Sequence, residues 1–398
     1  MPAPSVSIIV PTFNRAQYLA ECLDSLLAQT FSNAQIIVVN DGSTDETARV
    51  VRPYIHHIKY IEKANGGKSS AINMVLPSVE SQLVWIFDDD DVALPDALET
   101  HVMALEDHPE AGFTYSAFWE GRNDPSGKIV REKIRELKEW PNGSLFIQLL
   151  EGRFVPQQAS VVRLECYRKV GPFDIRLIRS QDSDMILRLS RHFKGARIEQ
   201  PTCIIRRHEG LRGNQENRFP AKLRTQNWFP YNRIIFEKLY DSLRLEEYLP
   251  EDRRQTYLDS NANREAHIRK LSVMARQGLW NHVVTEIEQL YREGGHREPL
   301  TELEKRLCNA ATYNSWSATT LLSDNSVHRA ITRHCNGLGG SQMRFEFVRG
   351  LYQMIENANL MNRMLLTPKF LAFAFQTLGA KGLMECVKYK IGMRSEFL

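Results

Sequence analysis

The feature that most constrains this chain is a rhythm in its first hundred residues. VSIIVPTF (Val6 to Phe13), AQIIVVND (Ala34 to Asp41), HIKYIEK (His57 to Lys63) and QLVWIFDDDD (Gln82 to Asp91) are short apolar runs rich in β-branched residues. Each gives way to a polar cluster and then to a stretch of helical period. Between Gln17 and Ala28, for example, Tyr18, Leu19, Cys22, Leu23, Leu26 and Leu27 fall on one side of a helix. Ser43 or Thr44 is placed to cap a second helix that runs to Val51. NGGKSSAINMVL and LPDALETHVMAL repeat the pattern. Apolar strands alternating with helices predict parallel βαβ units covered on both faces, an α/β fold. In such sheets ligands gather at the carboxyl ends of the strands. PTFNR, NDGSTD, NGGKSS and DDDD all sit at those ends, so four loops at one sheet edge predict one site.

From about Ala111 the pattern becomes mixed. FTYSAFWEG and QASVVRL read as strands, Ser144 to Leu150 as a helix, and ARIEQPTCIIRRHEG as a strand ending in a basic loop. Arg179 to Phe193 reads as an amphipathic helix with Met185, Ile186 and Leu189 inside. After Phe219 long helical stretches take over, which places a boundary within about ten residues of that point. The chain is long enough for two domains, 1–219 and 220–398, although one large core with an appendage stays open. With 42% hydrophobic and 25% charged residues it is an ordinary folded composition. A net charge of +3, evenly spread, gives no footprint for nucleic acid. Six cysteines without a CxxC pair predict neither a zinc site nor a disulfide framework and fit a reducing, cytoplasmic setting. The N-terminal apolar run, broken at Pro11, reads as a buried strand and not as a secretion signal. No run approaches the roughly 18 apolar residues of a spanning helix.

Four consecutive carboxylates, Asp88 to Asp91, repel one another unless a cation or a set of donors absorbs the field. A lone acidic pair would be read as the cap of a helix starting near Pro95. Four at the end of a buried strand point instead to a hard divalent cation, Mg²⁺ or Mn²⁺, shared with a substrate's phosphates. Gly66 and Gly67 allow close backbone approach, Lys68 brings a positive charge, and Ser69 and Ser70 open a helix whose free amides favour anions. A plain helix start explains that loop equally well. It is not a Walker A loop, because Glu62 stands where the first glycine would fall. Asp41 could accept from a nucleobase imide or make an Asx turn before Gly42. Arg15 could reach a phosphate or stay at an exposed helix start. Arg206 and Arg207 suit phosphate by geometry. Trp85 and Trp119 read as core or wall.

PTFNR, VVNDGSTD, NGGKSSAIN, FDDDDVALP, and GPFD followed by QDSDMILRL resemble, in order and spacing, the motifs of family 2 inverting glycosyltransferases of the GT-A fold, including bacterial surface-polysaccharide enzymes. The resemblance covers about Ser5 to Gly210. It implies a nucleotide-diphosphate sugar donor, with UDP expected, and Mn²⁺ or Mg²⁺. By position it implies that Pro11, Thr12, Phe13, Asn14, Arg15, Asp41, Gly67, Lys68, Asp88 and Asp89 bind the donor. Asp90 is implied as the direct metal ligand and Asp91 as a further acid whose alternative role is helix capping. Asp182 is implied as the general base, the alternative being a cap with Ser180. Gln181 departs from the family, which has Glu there. His208 matches a histidine near metal or diphosphate, with a plain surface histidine as the alternative.

The implied acceptor is a hydroxyl of a glycan or lipid-linked saccharide. Two other readings compete: a non-catalytic nucleotide-sugar-binding or scaffold protein, and a sugar-phosphate nucleotidyltransferase, which would carry a glycine-rich loop after its first strand. In the helical half, Lys369 to Arg394 combines Lys369, Lys381, Lys388, Lys390 and Arg394 with one acid, Glu385. Phe370, Leu371, Phe373, Phe375 and Leu378 give it an apolar side. That segment could lie on the inner face of an anionic membrane or dock on its own domain. Homo-oligomerisation stays open.

Overall fold

The computed structural model describes residues 5–137, 144–207, 224–295 and 297–395. The chain divides into two compact units, Met1–Pro141 with Gln148–Tyr231, and Asn142–Ile147 with Asn232–Leu398.

The first unit is built on β1 (Val6–Thr12), β2 (Ala34–Asn40), β3 (Ile58–Glu62), β4 (Leu83–Ile86), β5 (Val92–Ala93), β6 (Ala111–Asn123), β7 (Ile129–Arg135), β8 (Val161–Arg163) and β9 (Lys194–Arg206). They form one mixed sheet in the order β3-β2-β1-β4-β8-β6-β9-β5, with β7 paired to β6. The four strands of the sequence rhythm are parallel neighbours, and in register Thr12 faces Asn40, Asn40 faces Glu62 and Ile9 faces Ile86. Their carboxyl ends therefore open on one edge. β8 then runs antiparallel to β4, while β6 and β9 pair in parallel.

Helices in chain order are α1 (Ala16–Leu27), α2 (Thr47–Val51), α3 (Lys68–Val75), α4 (Ala97–Asp107), α5 (Leu145–Leu150), α6 (Leu164–Val170), α7 (Gln181–His192) and α8 (Arg224–Ser242). α1 buries Tyr18, Leu19, Cys22, Leu23 and Leu26. Leu27, expected with them, is exposed: at about 100° per residue it falls roughly 40° beyond Leu23, the edge of the packed stripe. β1 is buried along its whole length, and Trp85 meets Phe87 edge-on at 4.9 Å in the core beside it. The indole N–H of Trp85 donates to the Gln158 carbonyl (2.9 Å), so this tryptophan belongs to the core. Neither Ser43 nor Thr44 caps α2; Asp45 accepts from the Thr47 amide at 3.1 Å.

The second unit holds α9 (Ser260–Arg276), α10 (Trp280–Arg292), α11 (Glu302–Thr312), α12 (Ser315–Leu321), α13 (Asn325–His334), α14 (Gly337–Glu356) and α15 (Leu360–Ser395). Its core carries charge. Arg264 grips Glu304 with two bonds of 2.8 and 2.9 Å, and Glu286 accepts from His267 (2.6 Å), Tyr240 (2.8 Å) and Lys270 (3.0 Å). Buried charges persist only when paired in this way. In α15, Phe370, Phe373, Ala374 and Thr377 are buried, with Phe373 4.7 Å from the His328 ring and Phe370 6.0 Å from that of Tyr352. The expected single apolar side is therefore two: Leu371 and Phe375 point away from this packed face and are exposed. A break follows at Gly379, which takes a positive φ of 70°.

Candidate active site

A cleft of about 470 Å³ opens where β1 to β4 end. Pro11, Thr12, Phe13, Arg15, Asp41, Gly67, Lys68, Asp88, Asp89, Asp90, Asp91, Gln181 and Asp182 all line it. Of the residues singled out from sequence, Asn14 does not. Its side-chain oxygen accepts from the amides of Thr44 (2.7 Å) and Asp45 (3.3 Å), and its own amide donates to Ser43 Oγ (2.9 Å). Asn14 thus ties the loop after β1 to the loop after β2. His208 lies outside the described residues.

Asp41 is buried, and its carboxylate organises the third loop. Oδ1 accepts from Lys63 Nζ (2.6 Å) and the Gly66 amide (3.0 Å), while Oδ2 accepts from the Gly67 amide (2.6 Å) and Asn65 Nδ2 (3.0 Å). The carboxylate bonds of Asp41 go to the third loop and not to an Asx turn, while the neighbouring Asn40 Oδ1 accepts from the Ser43 amide three residues on at 2.9 Å. The loop passes so close that a Cβ on Gly42, itself at φ +75°, would sit 2.8 Å from the Asn65 nitrogen. Gly67 caps α3 at φ +87°, a conformation that glycine adopts without strain, with open space around it on the cleft lining.

The acidic stretch does not cap α4, whose N-cap is Asp96. Oxygens of Asp88, Asp90 and Asp91 lie within 4.8 Å of one another. Burial, and then the Asp90 charge, push the Asp89 carboxyl up to about 7, with Arg15 pulling the other way. Burial together with Asp90 and Asp88 holds Asp91 well above the ordinary carboxylate range. Carboxyls held up by burial and then by one another's charge, with oxygens of Asp88, Asp90 and Asp91 converging, fit a hard divalent cation. Lys68 forms an ion pair with Asp88, and Arg15 Nε stands 4.0 Å from Asp90 Oδ2. Burial opposes the Lys68 charge, but Asp88, Asp182 and Asp90 outweigh it and raise its pKa.

Two partners of this stretch were not anticipated. Gln158 Nε2 donates to Asp91 Oδ2. Arg206, weighed for phosphate, is wholly buried and spent inside the protein. Its amide donates to Asp91 Oδ1 (2.7 Å), its Nε to the Asp90 carbonyl (2.7 Å), and its two terminal nitrogens to Asn123 and Glu21, over the ring of Tyr18 at 4.7 Å. Arg206 is a clamp on the acidic loop. Arg207 lines the cleft and pairs with Glu120.

Asp182 stands in the first turn of α7. The N-cap is Ser180, in a left-handed conformation at φ 60° with no side-chain cap bond, and Asp182 Oδ1 accepts from the Ser183 amide at 2.9 Å. Burial raises the Asp182 pKa, Lys68 and the Ser183 amide lower it, and Asp88 raises it again, leaving it above the ordinary range. The Gln181 side-chain oxygen is buried without a hydrogen-bond partner among the described residues. The arrangement sets one partly buried carboxylate in the same cleft as cationic groups and a convergent acidic loop.

Residues 7–168 match the family model described as Glycosyl transferase family 2. The glycosyltransferase RP339 of Rickettsia prowazekii (strain Madrid E), described as uncharacterized, is 33% identical over 191 residues, 48% of this chain and 59% of that one. Glycosyltransferase GlyA of Streptococcus pneumoniae serotype 4 is 41% identical over 151 residues, 37% of this chain and 22% of that one. The matches take in 42% to 59% of the length of the Rickettsia relatives, so the chain spans about half of these proteins. Among solved structures, S. aureus TarS 1-349 in complex with UDP-GlcNAc covers 86% of this chain and is covered to 90%, with a TM-score of 0.52 at 16% identity. At that identity the likeness is one of fold, the GT-A type of mixed sheet with flanking helices.

Proposed function

The N-terminal domain of this chain belongs to glycosyl transferase family 2, and from that premise we propose that the protein moves a sugar from a nucleotide-diphosphate donor to a hydroxyl of a glycan or lipid-linked saccharide, with inversion. The observation that carries the proposal is the meeting of Lys68, the Asp88–Asp91 loop and Asp182 in one cleft. Asp182 accepts the proton of the acceptor hydroxyl. The hydroxyl oxygen bonds to the anomeric carbon from the face opposite the diphosphate, and the carbon–oxygen bond to the diphosphate breaks with its electron pair on the leaving oxygen. One base on one side suffices for this displacement. Asp88, Asp90 and Asp91 would hold Mn²⁺ or Mg²⁺, which when bound offsets negative charge on a diphosphate.

Pro11, Thr12 and Phe13 wall the nucleobase in this proposal, and Asp41 reaches the base edge by giving up one of its four loop donors. Lys68 and Arg15 face the phosphates. TarS was solved with UDP-GlcNAc, and with the expectation from sequence this makes UDP-sugars the first donors to test. The experiment is calorimetry of a nucleotide-sugar panel with and without Mn²⁺ on wild type, Asp90→Ala and Asp182→Asn. Metal-dependent binding of one donor, lost in Asp90→Ala and kept in Asp182→Asn, is expected. Donor binding indifferent to both metal and Asp90 would remove the physical basis of the proposal.

A further inference from the structure

We propose that α15 presents a second, outward apolar face that rests on an anionic lipid surface. The inference stands on this helix alone and goes beyond the transfer reaction, so it can fail without touching the cleft. Before Gly379, the helix uses Phe370, Phe373, Ala374 and Thr377 to pack on its own unit. On the other side Met364 is 70% exposed, Leu365 65%, Leu371 48% and Phe375 60%, with Pro368 and Ala372 exposed among them. At 100° per residue these six fall within an arc of about 120°, roughly opposite the packed face. A helix already held by one apolar stripe has no folding reason to carry another toward water. Large side chains in one contiguous exposed stripe mark a surface that something covers.

Charge chooses the occupant. Between residues 357 and 394 the sequence has six bases, Arg363, Lys369, Lys381, Lys388, Lys390 and Arg394, against the single acid Glu385. An exposed apolar stripe that continues into a base-rich sequence matches the boundary between acyl chains and anionic headgroups, where each base adds attraction and each apolar side chain adds burial. Among the described residues no helix is long and apolar enough to cross a membrane, so the fit is to a helix lying on the surface.

The test is flotation of the full chain with vesicles of phosphatidylglycerol and phosphatidylcholine, or of phosphatidylcholine alone. Leu371→Glu/Phe375→Glu strikes the outward face, and Lys388→Glu/Lys390→Glu strikes the charge. Thermal unfolding verifies that each variant is folded, and light scattering gives the molar mass. Wild type is expected to float only with anionic vesicles, and less at high salt. Each double variant is expected to weaken binding at least about tenfold while keeping its unfolding transition. Absence of binding to anionic vesicles overturns the proposal, as does undiminished binding by a folded Leu371→Glu/Phe375→Glu chain. A wild-type dimer that this variant converts to monomer overturns it too, since a second copy would then cover the face.

Discussion

At the scale of single residues, Arg206 ties the acidic loop down, its amide donating to Asp91 and its Nε to the Asp90 carbonyl. Asp88 to Asp91, Lys68 and Asp182 declare themselves in the sequence because carboxylates and a lysine stand directly at element ends, and the fold brings them into one cleft. Arg206 and Gln158 did not, because their partner Asp91 is 115 and 67 residues away and nothing local distinguishes a clamp from a phosphate ligand. The clamp makes a prediction. Arg206→Met leaves the partly exposed Glu21 without its partner and frees the Asp90 carbonyl, so stability should fall by about 1–3 kcal/mol. In the fraction that stays folded, Mn²⁺-dependent donor affinity should fall at least about tenfold, and Arg206→Lys should recover only part of it because an ammonium cannot span the same fork. Unchanged metal affinity by calorimetry in a folded variant would reduce Arg206 to packing. Asp182 makes another. As the proposed base, with its pKa raised, it loses its charge earlier on acidification, so kcat should decline toward low pH with a midpoint above the ordinary carboxylate range. Asp182→Asn should lower kcat by about 10²–10⁴ at every pH with donor KM little changed; retention of the same acid limb in that variant would assign the limb to another group.

At the scale of elements, periodicity found β1 to β4 and their helices because each strand is a continuous run terminated by turn chemistry, buried in β1, β4 and most of β2 and only partly so in the edge strand β3. It could not find how β6 and β9, 13 residues each, carry the sheet from parallel to mixed pairing, since pairing partners are not a local property. Their junction with α4 buries a polar set. His101 Nδ1 lies 2.7 Å from Thr114 Oγ1 and its Nε2 3.0 Å from Thr202 Oγ1, while Ser116 and Thr202 share a bond of 2.6 Å. Burial lowers the His101 pKa to about 3. The unfolded chain, with an ordinary histidine near 6.5, then binds more protons below that pH than the folded one. This contribution is complete above about pH 6.5 and is lost as pH falls toward about 3, at a limit of about 1.4 kcal/mol per unit. Urea unfolding at pH 7, 6 and 5 should show the slope, and His101→Gln should flatten it; an equal slope in that variant would place the acid sensitivity elsewhere.

At the scale of the whole chain, the sequence distinguished an α/β half from a helical half by the change in period, but not what the helical half is made of. Its core is held partly by buried ion pairs such as Arg264 with Glu304, and a composition rich in Arg and Glu reads as solvated surface until the partners meet across 40 residues. Cysteine usage spans both halves and joins them in one expectation. Cys22, Cys166, Cys203, Cys308 and Cys335 are free and buried. Burial raises the thiol pKa of Cys22 and Cys203 well above its ordinary value and that of Cys335 to about 12, so these groups are neither thiolate nor accessible. They act as small apolar packing groups at strand and helix contacts. A native sample treated with a thiol reagent should therefore report at most one of the six cysteines quickly, and all six once denatured. Its unfolding midpoint should not move with added reductant. Rapid modification of two or more thiols in the folded chain, or a midpoint that drops on reduction, would mean that part of this packing opens in solution or is covalently held.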